Sequence, residues 1–185
     1  MRDRGLTGTT TKVIAAAAGC SEPLLYKHFA DKQELFLSVL KERAPQVRLD
    51  SPGAGELGGN LTGIVEQLMG FFAETFPVAA SVFGAPELLA RHRAAITERG
   101  HGPAEPVRTV QAYLDAEQRA GRISPASDTA SAARILVGAA FHQGFLAAFD
   151  GLRAVSNAHA TAAGIVSAVL PALAENGNQR DEHKG

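Results

Sequence analysis

Cysteine, long apolar runs and net charge are all scarce in this chain of 185 residues, and each scarcity removes a class of protein. A single cysteine, Cys20, excludes an internal disulfide framework and suits a reducing cytoplasm. Charged residues break up the apolar segments too often for a membrane span, so a soluble, cytoplasmic protein is expected. No stretch alternates apolar and polar residues convincingly at period two, which leaves little to build a sheet from. Nucleophile–base spacings, phosphate-binding glycine loops and dinucleotide fingerprints are also missing, so neither enzyme activity nor a cofactor is expected. Glu98-x-x-His101 has the spacing of a di-iron bundle ligand pair, but it stands alone beside two glycines, and no metal site is expected from it.

The formal net charge of −1 conceals an uneven distribution. Residues 1–48 hold eight Lys/Arg against five Asp/Glu, a net of +3, which leaves −4 for the remainder. A basic head on an acidic body places any polyanion at the front of the chain. Nearly every segment carries a helical period. Helices are expected over 10–18, 22–29 and 32–47, followed by a breaker-rich linker from Asp50 through Gly58-Gly59-Asn60. Leu61, Ile64, Val65, Leu68, Phe72 and Phe76 then form a stripe that Pro77 is expected to stop. Further helices are expected at about 79–99, 104–120 (with Gly121 as its cap), 128–149 and 157–175, before a polar tail at 176–185. The fold class is therefore all-α.

What the chain does have is concentrated between Thr9 and Phe36. Thr9 or Thr10 can cap a first helix whose Val13, Ile14 and Ala17 share an apolar face. Gly19 supplies a residue free to take positive φ at a tight turn. Ser21 caps a second helix, Pro23 is tolerated in its first turn, and Leu25 and Phe29 face inward four residues apart. Asp31 with Glu34 makes a capping-box start to a third helix. Helix, glycine turn, helix is the layout that sets a second helix into the major groove of DNA. Each polar residue taken singly is as well explained by a solvated helix surface; the joint spacing around Gly19 and Phe29 is what favours a DNA-reading unit.

From Ile14 to Lys32 the order IAxxAG-x-S-x-P-x-LYxHFxxK, carried by Ile14, Ala15, Ala18, Gly19, Ser21, Pro23, Leu25, Tyr26, His28, Phe29 and Lys32, closely resembles the TetR (tetracycline-repressor-like) family. The resemblance implies that Thr10, Tyr26, His28 and Lys32 contact DNA phosphates. It also implies that Lys12, Glu22, Pro23, Leu24 and Lys27 lie at or near the bases. Leu24 stands where the family often has threonine, so a thymine methyl becomes its natural partner, and Glu22 can accept from a cytosine amino group. One departure is expected: the helix that normally precedes this pattern is cut short, with only Met1 to Leu6 before the turn. Val13, Ile14, Leu25 and Phe29 would then lack part of their apolar partner. Met1-Arg2-Asp3-Arg4 followed by Val13–Ala18 and Gly19-Cys20 also has the outline of a lipoprotein signal, but its apolar core is too short.

The same resemblance divides the chain into a helix-turn-helix domain at 1–48 and an effector-binding and dimerisation domain at 61–175. In the second, helix 128–149 shows two apolar stripes. One is Ala133, Val137, Ala140, Gly144 and Ala148; the other is Phe141, Phe145 and Phe149. Together with 157–175 it would form the four-helix interface of a homodimer. Phe72, Phe76, Phe83, His92, Tyr113 and His142 are candidate lining for a small-molecule effector pocket, with core packing as the plainer alternative. The expected function is that of a ligand-responsive repressor, dimeric on a quasi-palindromic double-stranded DNA operator. A helical adaptor that kept the dimer and lost DNA binding is the alternative.

Overall fold

The computed structural model describes residues 10–31, 34, 35, 38, 47–99 and 102–174, with 95–99 by backbone alone. Sequence expectations that concern the segment before Thr10, Lys32, most of helix 32–47, His101 and the tail at 176–185 lie outside the described residues. Seven helices and no strand occur among the described residues. They are α1 (Thr11–Ala17), α2 (Glu22–His28), α3 (Leu57–Phe83), α4 (Pro86–Arg99), α5 (Glu105–Arg119), α6 (Thr129–Phe149) and α7 (Ala158–Leu173). The fold class is all-α. By internal contacts the chain falls into two compact units. One comprises Met1–Pro45 with Glu74–Gly102, the other Gln46–Ala73 with Pro103–Gly185.

In the first unit α1 packs on α2 around Ala15, Leu25 and Leu35, with Ile14, Cys20 and Phe29 half-buried beside them. Val78 and Val82 at the end of α3 form a separate small cluster with Leu88 of α4. Here the structure corrects the sequence reading: α3 does not stop at Pro77 but runs through it to Phe83, and the break falls at Gly84 and Ala85. A proline inside a helix loses one backbone hydrogen bond and crowds the carbonyl four residues back, a penalty of about 3 kcal/mol. Burial of Val78 and Val82 just beyond it works against that penalty. The helix also starts earlier than expected, because Leu57 packs against the core and draws Gly58, Gly59 and Asn60 into the first turn.

The second unit holds the main core, in which Leu61, Ile64, Val65, Leu68 and Met69 of α3 meet Val110 and Leu114 of α5, Leu136 and Ala140 of α6, and Val166 and Leu173 of α7. α6 packs on both α5 and α7. Asp128 caps α6: its Oδ1 accepts from Ser131 N at 3.0 Å and its Oδ2 from Ser131 Oγ at 2.6 Å, which holds its pKa below the usual value. Gly121 ends α5 at φ +77°, with Arg122 N donating to Glu117 O at 3.0 Å. Asn157 precedes α7 in the left-handed region, at φ +51°. α6 has the length expected of it, but against the sequence reading it alone among the unbroken described helices meets the requirement for a membrane span by length and composition. Its Ala132, Ala133, Leu136, Val137, Ala140 and Ala147 face is nevertheless buried in the core of this unit.

A buried polar cluster ties the linker down. Glu117 is fully buried; its Oε1 accepts from Tyr113 Oη at 2.6 Å and its Oε2 from Gly53 N at 3.1 Å, with Arg122 Nε 3.3 Å from the same oxygen. Arg122 Nη1 donates to the carbonyls of Ala54 and Gly55, and Asn60 Nδ2 to Ala54 O and Tyr113 Oη. Burying one carboxylate is tolerable only with such a set of donors.

Two outcomes are expected. At Gly144 a Cβ would lie 2.5 Å from Phe72 Cβ and 2.8 Å from Ala73 N, so Gly144→Ala must push α6 off α3. A loss of about 1–3 kcal/mol follows, or a fall in Tm of several degrees in thermal denaturation; an unchanged Tm contradicts the close approach. Burial, and next its bond to Glu117, push the Tyr113 pKa up to about 12. Because the raised pKa belongs to the folded state, its contribution to stability is complete below about pH 10 and is lost as pH climbs through 12. In Tyr26→Phe, Tyr113 is the sole tyrosine. Its tyrosinate absorbance should emerge near pH 12 together with unfolding, whereas ionisation near pH 10 in folded protein contradicts the buried bond.

Candidate nucleic-acid interface

Local chemistry sets the angle between α1 and α2. Thr10 caps α1 through its Oγ1, which accepts from Val13 N at 3.3 Å. At the other end Gly19 sits at φ +67°, where a side chain is strained. Its N–H donates to Ala16 O at 3.2 Å and that of Cys20 to Ala15 O at 3.0 Å. These are the two bonds of a complete Schellman turn. Ser21 immediately caps α2 by accepting from Leu24 N at 3.3 Å, and Pro23 occupies its first turn. Beyond α2, Asp31 Oδ1 accepts from Glu34 N at 2.7 Å while Glu34 Oε2 accepts from Ala30 N at 2.6 Å, a reciprocal cap. Asp31 Oδ2 also pairs with Arg91 Nη1 of α4 at 2.7 Å within the same unit. Both side chains are nearly half exposed, so the pair contributes roughly 1 kcal/mol at most.

The turn sorts the side chains of α2 by face. Leu25 is buried and Phe29 half-buried, while Pro23, Leu24, Tyr26, Lys27 and His28 are exposed, as are Thr10 and Lys12 on α1. Leu24 at 45 % and Tyr26 at 50 % exposure are large apolar or aromatic groups left in solvent on one short helix, which core packing does not explain. Glu22 is only half-buried. Its Oε1 is hydrogen-bonded to Thr11 Oγ1, and Tyr26 Oη donates to the same Thr11 oxygen at 3.2 Å. Thr11 is thus a member of the site that the sequence reading missed. It stands eleven residues before Glu22 and fifteen before Tyr26, so no local spacing marks it. Lys32 lies outside the described residues.

The candidate effector residues are placed variously. Phe72 is half-buried and meets Phe141 edge-to-face at 5.2 Å; Tyr113 is buried with its hydroxyl committed to Glu117 and Asn60; His142 is exposed. In the other unit Phe76 is half-buried, Phe83 is 69 % exposed, and His92 has its pKa lowered by burial. In the larger unit a cleft of about 520 Å³ runs between Leu49, Asp50 and Pro52 of the linker and α5. Of the candidates in that unit, only Tyr113 lines it. Among the described residues no group of three or more His, Cys, Asp or Glu converges on a metal position.

Residues 1–39 match the family model for bacterial regulatory proteins of the tetR family. A search of the curated proteins finds no match. Several solved structures share the fold over almost the whole chain. A candidate TetR-family transcriptional regulator from Mesorhizobium loti is 20 % identical with a TM-score of 0.66, covering 92 % of this chain and 89 % of its own. The fatty acid degradation regulator FadR from Bacillus halodurans is 15 % identical, TM-score 0.61, covering 91 % and 87 %. The TetR-family regulator PfmR from Thermus thermophilus is 20 % identical, TM-score 0.58, covering 94 % and 93 %. The first 39 residues thus match the tetR family model, and the fold over almost the whole chain is similar to that of these transcriptional regulators.

Proposed function

We propose that the chain is a ligand-responsive transcriptional repressor that binds a quasi-palindromic operator as a homodimer. One observation carries the DNA-binding part: a short helix, set by the Gly19 turn, presents Leu24, Tyr26, Lys27 and His28 to solvent beside Lys12 and Thr10 of α1. On this reading residues 1–48 are the DNA-binding domain and 61–175 the effector and dimerisation domain, with 176–185 a tail. Thr10, Tyr26, His28 and Lys32 fix the register on phosphates. Lys12, Glu22, Pro23, Leu24 and Lys27 lie at or near the base edges, where the Leu24 side chain suits a thymine methyl. The protein acts in the cytoplasm.

The dimer reading draws on the outward face of α6, where Ile135 is 57 %, Phe141 46 %, Leu146 39 % and Phe149 77 % exposed. Ala163, Gly164, Ala168 and Ala172 are exposed on α7 next in the fold. A large apolar face of this kind is covered most economically by its own two-fold copy, which sets two recognition helices about 34–36 Å apart. A small apolar effector in the second domain would release DNA by favouring a different spacing.

Lys32→Ala should weaken binding to duplex DNA across sequences and reduce the slope of log K against log salt by about one, as measured by fluorescence anisotropy from low to moderate salt. A wild-type chain that binds no duplex even at low salt would favour the adaptor alternative. Phe141→Glu with Phe149→Glu should convert a dimer to a monomer in sedimentation velocity without loss of helix content. A variant that still sediments as the wild type does refutes the α6 interface.

A further inference from the structure

We propose that Thr11 is a specificity-positioning residue: its hydroxyl joins the Glu22 carboxylate and the Tyr26 hydroxyl in one directional relay that holds Glu22 back from the bases. The proposal rests on the DNA-binding reading given above and deepens it. A carboxylate oxygen only accepts, so the bond between Thr11 Oγ1 and Glu22 Oε1 uses the single proton of Thr11. Thr11 Oγ1 then has only lone pairs left, and Tyr26 Oη donates into one of them at 3.2 Å. Every hydroxyl proton in the chain therefore points towards Glu22. Two consequences follow for an approaching duplex.

Glu22, the first residue of α2, has its carboxylate drawn across the turn onto α1, half-buried, and away from the exposed row of Pro23, Leu24 and Lys27. A free carboxylate at that place would accept from a cytosine amino group and repel phosphate. The relay suppresses both effects and leaves Leu24 and Lys27 as the groups presented. Tyr26, 50 % exposed, offers oxygen lone pairs outward and can donate to a phosphate only by leaving Thr11. Thr11 thereby sets what two neighbouring side chains offer, without itself reaching the DNA.

The test is selection from a library of randomised 30-base-pair duplexes, with anisotropy on the enriched sequence, for the full chain and three variants. Thr11→Val keeps the shape of the side chain and removes the hydroxyl. It should bind the wild-type motif roughly tenfold more weakly and enrich a cytosine at one new position per half-site. Thr11→Ser, which restores the hydroxyl, should recover the wild-type motif. Adding Glu22→Gln to Thr11→Val should abolish the new cytosine. If the wild type enriches a motif and Thr11→Val enriches the same one with equal affinity, the relay is refuted and the DNA-binding reading stands. A shift that persists with Glu22→Gln, or that Thr11→Ser fails to reverse, also refutes it. If the wild type enriches nothing, the DNA-binding reading fails and takes this proposal with it.

Discussion

At Gly144 the backbone of α6 comes so close to α3 that no Cβ fits: the nearest atoms would be Phe72 Cβ and the backbone of Ala73. This approach fixes which face of α6 turns inward. With Gly144 seated on α3, Ala133, Val137 and Ala140 on the same stripe are buried, and α6 can pack on α5 and α7 at once. The aromatic stripe lies beside that face: Phe141 meets Phe72, Phe145 is half-buried and Phe149 is exposed. With that face seated in its own unit, Ile135, Phe141 and Phe149 of α6 are left largely exposed. Core packing and the candidate dimer face are two sides of one helix.

Gly19 plays the corresponding part in the small head. Its positive φ lets α1 end in a Schellman turn and α2 begin two residues later, so the two helices meet at Ala15 and Leu25 with almost no loop. That economy explains why the turn and α2 were readable from sequence, whereas the face of α1 was misjudged: Ala15 is the residue it buries, and Val13 and Ala17, expected to face inward, are exposed. Gly19, Ser21 and Pro23 act on neighbours within four residues, and the Asp31–Glu34 cap does the same. The buried and exposed faces of α2 also follow from spacing alone.

Where long-range contacts decide, sequence was a poorer guide. Pro77 has a strong local signal for termination, yet burial on either side of it carries α3 through. Gly58 and Gly59 look like linker and are helical because Leu57 reaches the core. No local signal marks Glu117 for burial. Its burial depends on Gly53, sixty-four residues earlier, and on Arg122 beyond the helix end. The pairing of Thr11 with Glu22 and Tyr26 was hidden for the same reason, since it exists only once the turn has formed.

The two units also differ in what holds them together. The body is held by a broad apolar core, in which Leu61, Leu68, Leu114, Leu136 and Leu173 are all but inaccessible. In the head, the described apolar cluster is three buried residues, and α1 and α2 are seven residues each. Helices that short have little stability of their own in water, so packing and polar contacts must supply it. Among the described residues the polar contacts are caps, a glycine turn, a half-exposed ion pair and the Thr11 hydroxyl, all at or near solvent. Solvent-exposed bonds open at low free energy, whereas the body opens only with its core. A head built this way is the part of the molecule whose geometry an adjacent charged surface can most easily alter. On the DNA-binding reading proposed above, the direction of each hydroxyl proton around Thr11 bears on recognition as well as on stability.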